Sequence, residues 1–538
     1  MKKRWVMIVA SLSLAVTTSV ACLAQTHVSG ATPKRNQAKT VSTEKEVKGK
    51  VPKYVFLFIG DGMSYPQIQL TNYYLSANEQ SKAQKVKVEG EEKTSLVSEK
   101  HLNMLKLDNS GSAQTYDSTS FAPDSASTAT SIATGNKTWS GSINVSLDFS
   151  KTYETIAEKL KEQKGYEVGV VSSVNINHAT PAAFYAHQPS RNNYYEIGKE
   201  MIASNFDYFA GGALKDPKGE NEDQKDLYEL AKEAGYTVAT NQKEAQKLNA
   251  DSQKAIVIGE TLADSDSLSY EIDRAQKEWG LAEYVGKGIE VLNNDKGFFL
   301  MVEGGKIDWA CHANDGASAI KDTIAFDNAI GKALEFYEKH PEDTLILVTG
   351  DHETGGLSIG YAGTDYDTFL TNLNNQKISY AKFDEDYVKK YKENKSDFGQ
   401  VMKDITAMFG LQAPKGGQEA LEQKDSADKH KEGEKENRLL LTDYEYQQLQ
   451  EAYNTTLART GEEESFTQKE YIDYGSYEPL TVTITHILNH KSGVSFTSYA
   501  HTGLPVAVLT KGSQAANFDG YYDNTDIYKK LAAITGVS

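Results

Sequence analysis

The sequence predicts an α/β fold in which a mostly parallel central β-sheet carries helices on both faces. The first observation is a set of apolar runs that are continuous rather than alternating, as is typical of parallel strands covered on both sides. The second is that helical spacing of apolar residues separates several of these runs. The runs cover residues 54–59, 168–171, 255–258, 298–302, 345–348 and 506–509.

Two segments between these runs have the residue spacing of helices. In the first, Tyr153, Ile156 and Leu160 would share one face. In the second, the same helical spacing is found in Ile320, Ile324 and Ala325 and again in Ile330, Leu334 and Tyr337. Residues 363–479 differ, because they hold no strong strand run and are rich in Lys, Glu, Asp, Gln and Tyr. We predict that they form a mainly helical insertion between two late strands.

The composition limits the classes of protein to which the chain can belong. Of its 538 residues, 39% are hydrophobic, which is enough for a sizeable core and argues against global disorder. Asp and Glu number 75 against 57 Lys and Arg, so the net charge of −18 argues against a general nucleic-acid binder. The acidity leaves two interpretations open: an ordinary acidic surface, or a protein that collects cations.

The N-terminus has the pattern of a secretory signal peptide, residues 1–24. Basic residues at positions 2–4 precede an apolar run at 5–16, and small residues follow. The run is shorter than the roughly 20 apolar residues of a transmembrane helix. We expect a secreted protein, whether extracellular, periplasmic or at the cell surface. Two outcomes stay open: cleavage after Ala24, or attachment of a lipid at Cys22.

The rest of the chain divides into a tether and one large domain. Residues 25–53 are polar and basic, which is typical of a flexible tether, and residues 54–538 would form the domain. Inside the insertion, residues 415–437 are nearly all charged, small or amide residues, so we predict a surface loop there. Since Cys22 and Cys311 are the only cysteines, a disulfide framework is excluded.

Acidic and histidine residues come directly after several of the apolar runs. Asp61 follows the first run and Glu303 the fourth, while Asp351 and His352 follow the fifth. Because ligands bind at the carboxyl ends of strands in open α/β sheets, we expect these side chains to converge. Three carboxylates there would repel one another unless metal ions neutralised them, so the sequence predicts a metal site. Polar residues also follow the second run: Asn175, Asn177 and His178.

A second metal-binding element is the pair Asp308 and His312. The two residues are four apart, so a helix would place both on one face, a spacing that zinc sites use. The same spacing would suit a surface ion pair, but the position five residues after Glu303 favours a metal. Cys311 would point to a different helix face, and we expect it to be packed rather than to bind metal.

Ser125 and Arg191 are the candidates for the reaction itself. Ser125 begins a stretch of small residues, 125–130, which one interpretation makes a helix capped by Asp124. The functional interpretation, compatible with the first, makes Ser125 a nucleophile at a helix N-terminus, where backbone N–H groups attract anions. No Ser-His-Asp arrangement is visible nearby, but a metal ion could replace the base. Arg191 has the planar fork that suits two phosphate oxygens.

Six short motifs, in this order, carry a resemblance to a known family. They are FIGDGM at 58–63, DSASTAT at 124–130, HATPA at 178–182, VEGGKID at 302–308, VTGDHETGG at 348–356 and AHTG at 500–503. Together they resemble the alkaline phosphatase family, and the resemblance extends over residues 54–538. The serine motif departs from the family pattern at Ala122, where Ile or Val is usual.

The resemblance implies an alkaline phosphatase-like fold and a role for each site residue. Ser125 would be the nucleophile that becomes phosphoserine, and Arg191 would clamp the phosphate. The cofactors would be two zinc ions and one magnesium ion. The implied ligands are Asp308, His312 and His501 for the first zinc, Asp61, Asp351 and His352 for the second, and Asp61, Thr180 and Glu303 for magnesium.

Two residues of the substrate-binding pocket depart from many bacterial members of the family. His178 stands where those members carry Asp, and Trp309 stands where they carry Lys. His178 could contact the third metal directly or through water, so that metal could be magnesium or another zinc. Since Trp309 removes a cation near the phosphate, Arg191 would carry more of the binding.

The implied function is hydrolysis of small-molecule phosphomonoesters to alcohol and inorganic phosphate, in a chain that is often a homodimer in this family. A related metal-dependent phosphodiesterase or sulfatase is the alternative enzyme. However, Ser125 is not followed by the C/S-x-P-x-R pattern of sulfatases, and diesterases often use Thr and lack the clamping arginine. A surface lipoprotein that binds phosphate or metal without turnover is the alternative from another class.

Overall fold

Every one of the six apolar runs is a strand of one ten-stranded sheet in the computed structural model, which describes residues 49–414, 438–459 and 466–538. The strands are β1 (Tyr54–Gly60), β2 (Lys85–Val88), β3 (Glu91–Thr94), β4 (Asn109–Gln114), β5 (Glu167–Asn175), β6 (Tyr208–Gly212), β7 (Thr237–Ala239), β8 (Ala255–Ile258), β9 (Phe298–Glu303), β10 (Thr344–Gly350), β11 (Glu353–Thr354), β12 (Ser358–Ile359), β13 (Val494–Ser495), β14 (His501–Thr502), β15 (Val506–Gly512) and β16 (Gly520–Asp523).

The sheet is mostly parallel, as predicted. Its strand order is β16-β4-β15-β10-β1-β9-β5-β6-β8-β7, and every neighbouring pair from β10 to β7 is parallel. Strand β15 runs antiparallel to both β10 and β4. Its apolar run at 506–509 is therefore not that of a parallel strand; the run reflects burial, since Val506, Ala507 and Val508 are buried although the strand direction is reversed.

The helices lie between and around these strands. They are α1 (Tyr65–Asn78), α2 (Ser125–Thr134), α3 (Ile156–Lys159), α4 (Ala179–Ala182), α5 (Tyr194–Ala203), α6 (Leu227–Glu233), α7 (Gln242–Ala245), α8 (Leu281–Leu292), α9 (Gly305–His312), α10 (Gly316–Tyr337), α11 (Tyr380–Phe383), α12 (Lys389–Asn394), α13 (Phe398–Phe409), α14 (Asp443–Ala458), α15 (Gln468–Tyr474), α16 (Pro479–Lys491) and α17 (Thr525–Thr535).

Helices cover both faces of the sheet because successive side chains of each strand point to opposite sides. From β1, Val55 and Leu57 enter a core that also contains residues of α2, α4 and α17. Phe56 and Phe58 enter a second core on the other face, built with α8 and α10. All of these strand side chains are fully buried, which accounts for the absence of polar alternation in the central runs.

The described part of 363–479 contains helices α11 to α15 and no strand, in agreement with the predicted helical insertion. Leu370, Phe383, Val401 and Leu449 enter a third apolar core there. That core also contains Leu70 of α1 and residues of α10 and α16, so the insertion packs on helices rather than on the sheet.

The helix predicted around Tyr153 begins later than expected. Thr155 caps the first turn of α3 through its side chain, which accepts a hydrogen bond from the Glu158 amide, while Glu158 bonds back to Thr155. Tyr153 therefore precedes the helix. Helix α10 covers the whole of the predicted segment 320–337.

Several predictions fall on residues outside those that the structure describes. These are the signal peptide at 1–24 with Cys22 and Ala24, residues 25–48 of the tether, and the loop at 415–437. Among the described helices, none is both long and apolar enough to cross a membrane.

Candidate active site

The strand register brings the predicted carboxylates to one edge of the sheet. Gly60 of β1 pairs with Gly350 of β10, so the residues that follow, Asp61 and Asp351, leave neighbouring strands at the same level. Glu303, at the end of β9, pairs with Ile59. All three carboxylates are fully buried. The topology thus collects three acidic side chains that are more than 40 residues apart in the sequence.

Ser125 lies at the N-terminus of α2, directly above this edge. Asp124 caps the helix, since its side chain accepts a hydrogen bond from the Ser127 amide at 3.1 Å. Ser125 Oγ donates to Asp61 Oδ1 at 3.3 Å and lies 3.1 Å from His352 Nε2. The capping interpretation is confirmed, and the position of Ser125 at the helix start is compatible with the functional one.

Asp308, His312 and His501 form the first group of candidate metal ligands. Helix α9 places His312 Nε2 3.3 Å from Asp308 Oδ2, and His501 Nε2 lies 3.0 Å from His312 Nε2. The other ring nitrogens face backbone carbonyls: His312 Nδ1 that of Tyr499 and His501 Nδ1 that of Pro123. If each Nδ1–H donates a hydrogen bond to its carbonyl, each Nε2 keeps a lone pair that can bind a metal ion.

Asp61, Asp351 and His352 form the second group. His352 Nε2 lies 3.4 Å from Asp61 Oδ1 and 3.3 Å from Asp351 Oδ2. Asp351 Oδ1 accepts hydrogen bonds from the amides of Gly62 and His352, which leaves Oδ2 turned to the cluster. Gly62 has a φ of +70°, and a Cβ there would lie 2.9 Å from Asp308 Oδ1, so glycine is needed at this close approach.

The two groups are contiguous, because His352 of the second group also lies beside two members of the first. Its ligand atom lies within 4.8 Å of those of Asp61 and Asp351, and equally of those of Asp308 and His501. The rings of His352 and His501 stack with centroids 3.6 Å apart. Together the groups supply carboxylate oxygens and imidazole nitrogens, the donor set that zinc accepts.

A third group consists of oxygen donors. Thr180 Oγ1 donates to Asp61 Oδ2 at 3.4 Å, and the Ser172 hydroxyl donates to Glu303 Oε2. Glu303 Oε1 is buried and has no hydrogen-bond partner in the described chain. A buried carboxylate oxygen without a partner is costly, so a cation beside Glu303 would stabilise this arrangement.

Burial and mutual repulsion raise the pKa values of three carboxyls in the metal-free chain. Burial first, and then the charges of Asp351, Asp308 and Glu303, raise the pKa of Asp61 well above its usual range. Burial and Asp308 raise the pKa of Asp351 to about 8, and burial raises that of Glu303 to about 7. These carboxyls hold their protons unless a cation replaces them.

Arg191 and His178 contact each other beside Ser125. Arg191 Nη1 donates to Asp124 Oδ2 at 2.9 Å, and Nη2 lies 3.3 Å from His178 Nε2. A guanidinium only donates, so His178 Nε2 accepts and the proton of the neutral ring is on Nδ1. Burial and the charge of Arg191 lower the pKa of His178 to about 3, which keeps the ring neutral. Trp309 contacts His178 edge to face, with ring centroids 6.0 Å apart.

Comparison with known proteins agrees with the sequence motifs. A family model described as alkaline phosphatase matches residues 52–537. The chain belongs to the alkaline phosphatase family. Alkaline phosphatase 3 of Bacillus subtilis (strain 168) is 31% identical over 532 residues, which cover 97% of this chain and 96% of that protein.

Solved structures of alkaline phosphatases share the fold. The cold-active alkaline phosphatase from the psychrophile Shewanella sp. has a TM-score of 0.67 at 26% identity, covering 90% of this chain and 99% of that one. The Thermus thermophilus alkaline phosphatase has a TM-score of 0.70 at 21% identity, covering 95% of this chain and 96% of that one. The chain is accordingly a phosphatase, and hydrolysis of phosphomonoesters is its general activity.

Three hydroxyl groups support the alkaline phosphatase site but were not singled out from the sequence. Thr354 Oγ1 donates to Asp308 Oδ1 at 2.5 Å, Thr128 Oγ1 donates to Asp351 Oδ2 at 3.2 Å, and Ser172 bonds to Glu303. Thr128 and Thr354 lie inside the motifs that carry the family resemblance, which was the available signal. Ser172 lies within a buried strand, and its sequence surroundings do not distinguish it from a packing residue.

Three other residues that were considered from the sequence, Asn175, Asn177 and Cys311, lie outside the candidate site. The Asn175 side-chain amide donates to the carbonyls of Ala213 and Ser265, and Asn177 bonds to backbone atoms, so both hold loops. Cys311 is a buried free thiol within an apolar core. It belongs to neither group of candidate metal ligands, in agreement with the packing role that we expected.

The stability of the metal-free enzyme should fall as the pH rises from about 6.5 to about 8. In that interval an unfolded chain has lost the protons of Asp61, Glu303 and Asp351, while the fold still holds a part of them, so the unfolded state binds fewer protons. Three site histidines, His178, His352 and His501, have lowered pKa values and are largely neutral in both states over most of that interval. Each carboxyl then contributes a loss of up to about 1.4 kcal/mol per pH unit. Urea unfolding of chelator-treated protein at several pH values measures this slope. A stability that rises over the same interval would contradict the assignment.

Proposed function

We propose that the enzyme hydrolyses phosphomonoesters through a phosphoserine at Ser125, in a site that holds two zinc ions and one magnesium ion. The observation that carries the proposal is the position of Ser125 Oγ. It lies within hydrogen-bond distance of Asp61 and His352, at the junction of the two ligand groups and at a helix N-terminus.

The side chains present suit these cations. Asp308, His312 and His501 would hold the first zinc, because their ligand atoms approach one another to 3.0–3.6 Å. Asp61, Asp351 and His352 would hold the second, because their ligand atoms lie within 4.8 Å of one another. The raised carboxyl pKa values and the unpartnered Glu303 oxygen also support binding of cations. Bound metal would neutralise the buried carboxylates and lower the pKa of the serine hydroxyl.

The third position would take Asp61, Thr180 and Glu303, and the contacts favour magnesium. These three residues offer oxygen atoms alone, which Mg²⁺ prefers. His178 could add a nitrogen only if its Nδ1 carried a lone pair, but Nε2 accepts from Arg191, so Nδ1 carries the proton. We infer that His178 contacts this position through water, by donation from Nδ1.

The chain's own residues bind the phosphate and define the reaction. Ser125 Oγ attacks phosphorus, the bond from Oγ to phosphorus forms, and the bond to the alcohol oxygen breaks, so the alcohol leaves with a proton. Water then cleaves the phosphoserine and regenerates the hydroxyl. Arg191, held by Asp124, and the backbone amides that begin α2 would bind the equatorial oxygens.

Comparison of a monoester with a diester tests this function against the alternative of a phosphodiesterase or sulfatase. With zinc and magnesium, the enzyme should hydrolyse nitrophenyl phosphate at least about 10³-fold faster than bis(nitrophenyl) phosphate or nitrophenyl sulfate. The monoester brings three unesterified oxygens and two negative charges to Arg191, the amides that begin α2 and the cations, whereas the diester and the sulfate each carry only one negative charge. A chelator should abolish the activity, and zinc with magnesium should restore it. Faster hydrolysis of the diester would contradict the proposal. Binding of phosphate without any product would favour a non-enzymatic binding protein.

Export and assembly remain predictions. Residues 1–24, which would direct secretion, and Cys22, which could carry a lipid, lie outside the described residues. The mass of the mature protein from culture medium and from membranes distinguishes cleavage after Ala24 from lipidation at Cys22. The homodimer that the family resemblance implies is likewise a proposal, which the molar mass in solution tests.

A further inference from the structure

Lys306 is a fully buried lysine in the first turn of α9, two residues before Asp308. Its Nζ donates to Asp264 Oδ1 at 2.6 Å. It also lies 3.9 Å from the centroid of the Tyr270 ring and 4.6 Å from that of Trp309. Burial of an ammonium group is costly even when it is paired, so a lysine here calls for an explanation beyond packing.

The ammonium group of Lys306 connects to the phosphate-binding arginine through two rings. Trp309 lies between Lys306 and His178, and its ring meets that of His178 at 77° with centroids 6.0 Å apart. His178 Nε2 in turn accepts from Arg191 Nη2 at 3.3 Å. Each link is a direct contact, so a rotation of Trp309 would remove the support of His178 and release one side of Arg191.

The other end of this chain of contacts is anchored to the sheet. Asp264 begins a short turn at 264–266, and the Asn175 side chain at the end of β5 donates to Ser265 O at 2.9 Å. The turn is also held by the Ala213 amide, which donates to Asp266 O. The turn therefore holds the Asp264 carboxylate in a fixed position beside Lys306.

We propose that Lys306 is a positioning residue for phosphate binding, which fixes the Trp309 ring so that His178 supports Arg191. A cation against the face of an indole ring stabilises one ring orientation, which an apolar neighbour would not select. The proposal rests on the proposed function, because it takes Arg191 as the residue that binds phosphate.

Lys306→Met tests the proposal in the zinc- and magnesium-loaded enzyme. Methionine has a similar length and tolerates contact with both rings, and Asp264 is 30% exposed, so its carboxylate can be solvated when the partner is removed. The inhibition constant of inorganic phosphate and the KM for nitrophenyl phosphate should both rise about tenfold, while kcat falls by less than about threefold. Lys306→Arg, which keeps the cation, should restore both constants to within about threefold of the wild type.

Lys287→Met is the matched control for the loss of a buried lysine. Its Nζ bonds to Glu290 and to the Leu248 carbonyl, and its side chain is 10% exposed. Lys287 belongs to none of the groups of the candidate site, so the phosphate inhibition constant should not change. Asp264→Asn removes the charge of the partner of Lys306 and leaves the core residues unchanged. It should raise the phosphate inhibition constant about threefold. The proposal would be overturned if the phosphate inhibition constant did not rise in Lys306→Met, or if it did not rise in Asp264→Asn. A loss of bound zinc in Lys306→Met would also overturn it.

Two further variants separate this proposal from the function on which it rests. Because Lys306 acts through Trp309, Lys306→Met should add nothing to the effect of Trp309→Ala, and additive effects would overturn the positioning role. Arg191→Ala should raise the phosphate inhibition constant at least as much as Lys306→Met. An unchanged constant in Arg191→Ala would contradict the proposed role of Arg191. A change there without one in Lys306→Met would overturn the role of Lys306 alone.

Discussion

Replacing Ser125 by alanine should lower kcat for nitrophenyl phosphate by about 10³-fold or more, while the zinc and magnesium content stays that of the wild type. The hydroxyl is the group that bonds to phosphorus in the proposed reaction, and Ser125 Oγ lies against Asp61 and His352. Loss of a nucleophile removes the covalent route and leaves only the activation of water by the remaining site. Steady-state kinetics with metal analysis of the same sample measures the effect.

Ser131→Ala is the matched control, because it removes a buried hydroxyl from the same helix. Ser131 Oγ bonds to the Ser127 carbonyl at 3.0 Å and has no contact with the site groups. We expect activity within about twofold of the wild type for this variant. If Ser125→Ala keeps more than about a tenth of the activity at full metal content, another residue or a water molecule attacks the phosphorus.

Asp61→Asn should nearly abolish activity and yet stabilise the metal-free protein. Asp61 touches His352 through Oδ1 and Thr180 through Oδ2, so one substitution weakens two of the proposed metal positions. We expect activity to fall by about a hundredfold or more, with less metal bound. Without metal, the amide avoids the cost of burying the Asp61 carboxyl beside other acidic groups, which raises its pKa, and the unfolding free energy should rise by about 1 kcal/mol or more.

Asp327→Asn is the control for Asp61→Asn, because Asp327 is a buried carboxylate whose hydrogen bonds go to Asn103 and Met104 and not to the candidate metal ligands. It accepts hydrogen bonds from the amides of Asn103 and Met104 at 2.7 and 2.9 Å. This variant should keep metal and activity and lose stability. Thermal unfolding with and without chelator, together with zinc content, measures both proteins. Retention of metal and activity in Asp61→Asn would contradict the bridging role.

The central sheet was predictable because its strands are buried on both faces. Residues such as Val55, Phe56 and Leu57 leave no polar alternation, and the apolar run marks the strand almost to its ends. Strand β4 was missed for the converse reason, since its sequence NSGSAQ contains a single buried residue, Ala113. Backbone pairing with β15 makes it a strand, and no local pattern reports that contact.

The site was predictable to the extent that its residues lie at strand ends or one helical turn apart. Asp61, Asp351 and Glu303 converge because parallel strands end at one edge, and Asp308 meets His312 through the helix period. His501 had no such signal apart from the family motif. Its approach to His312 depends on the antiparallel pairing of β11 with β14, two strands that are more than 140 residues apart in the sequence.

The contacts around Lys306 could be predicted only in part from spacing. Trp309 lies three residues after Lys306 on α9, within reach through the helix period. Asp264 and Tyr270 come from a turn and a loop, and nothing local ties them to the lysine. From the family resemblance, we expected Trp309 to remove a cation near the phosphate. In the structure a buried ammonium group lies over that ring, and its carboxylate partner, Asp264, is brought there only by the tertiary fold.

The most direct test of the account is to trap the phosphorylated enzyme. Metal-loaded protein is mixed with excess nitrophenyl phosphate, quenched in acid during steady-state turnover and digested for mass spectrometry. The account predicts a phosphoryl group on Ser125 in the wild type, lost when turnover ends and absent from Ser125→Ala. Rapid turnover with no phosphorylated peptide, or with the phosphoryl group on another residue, would contradict it.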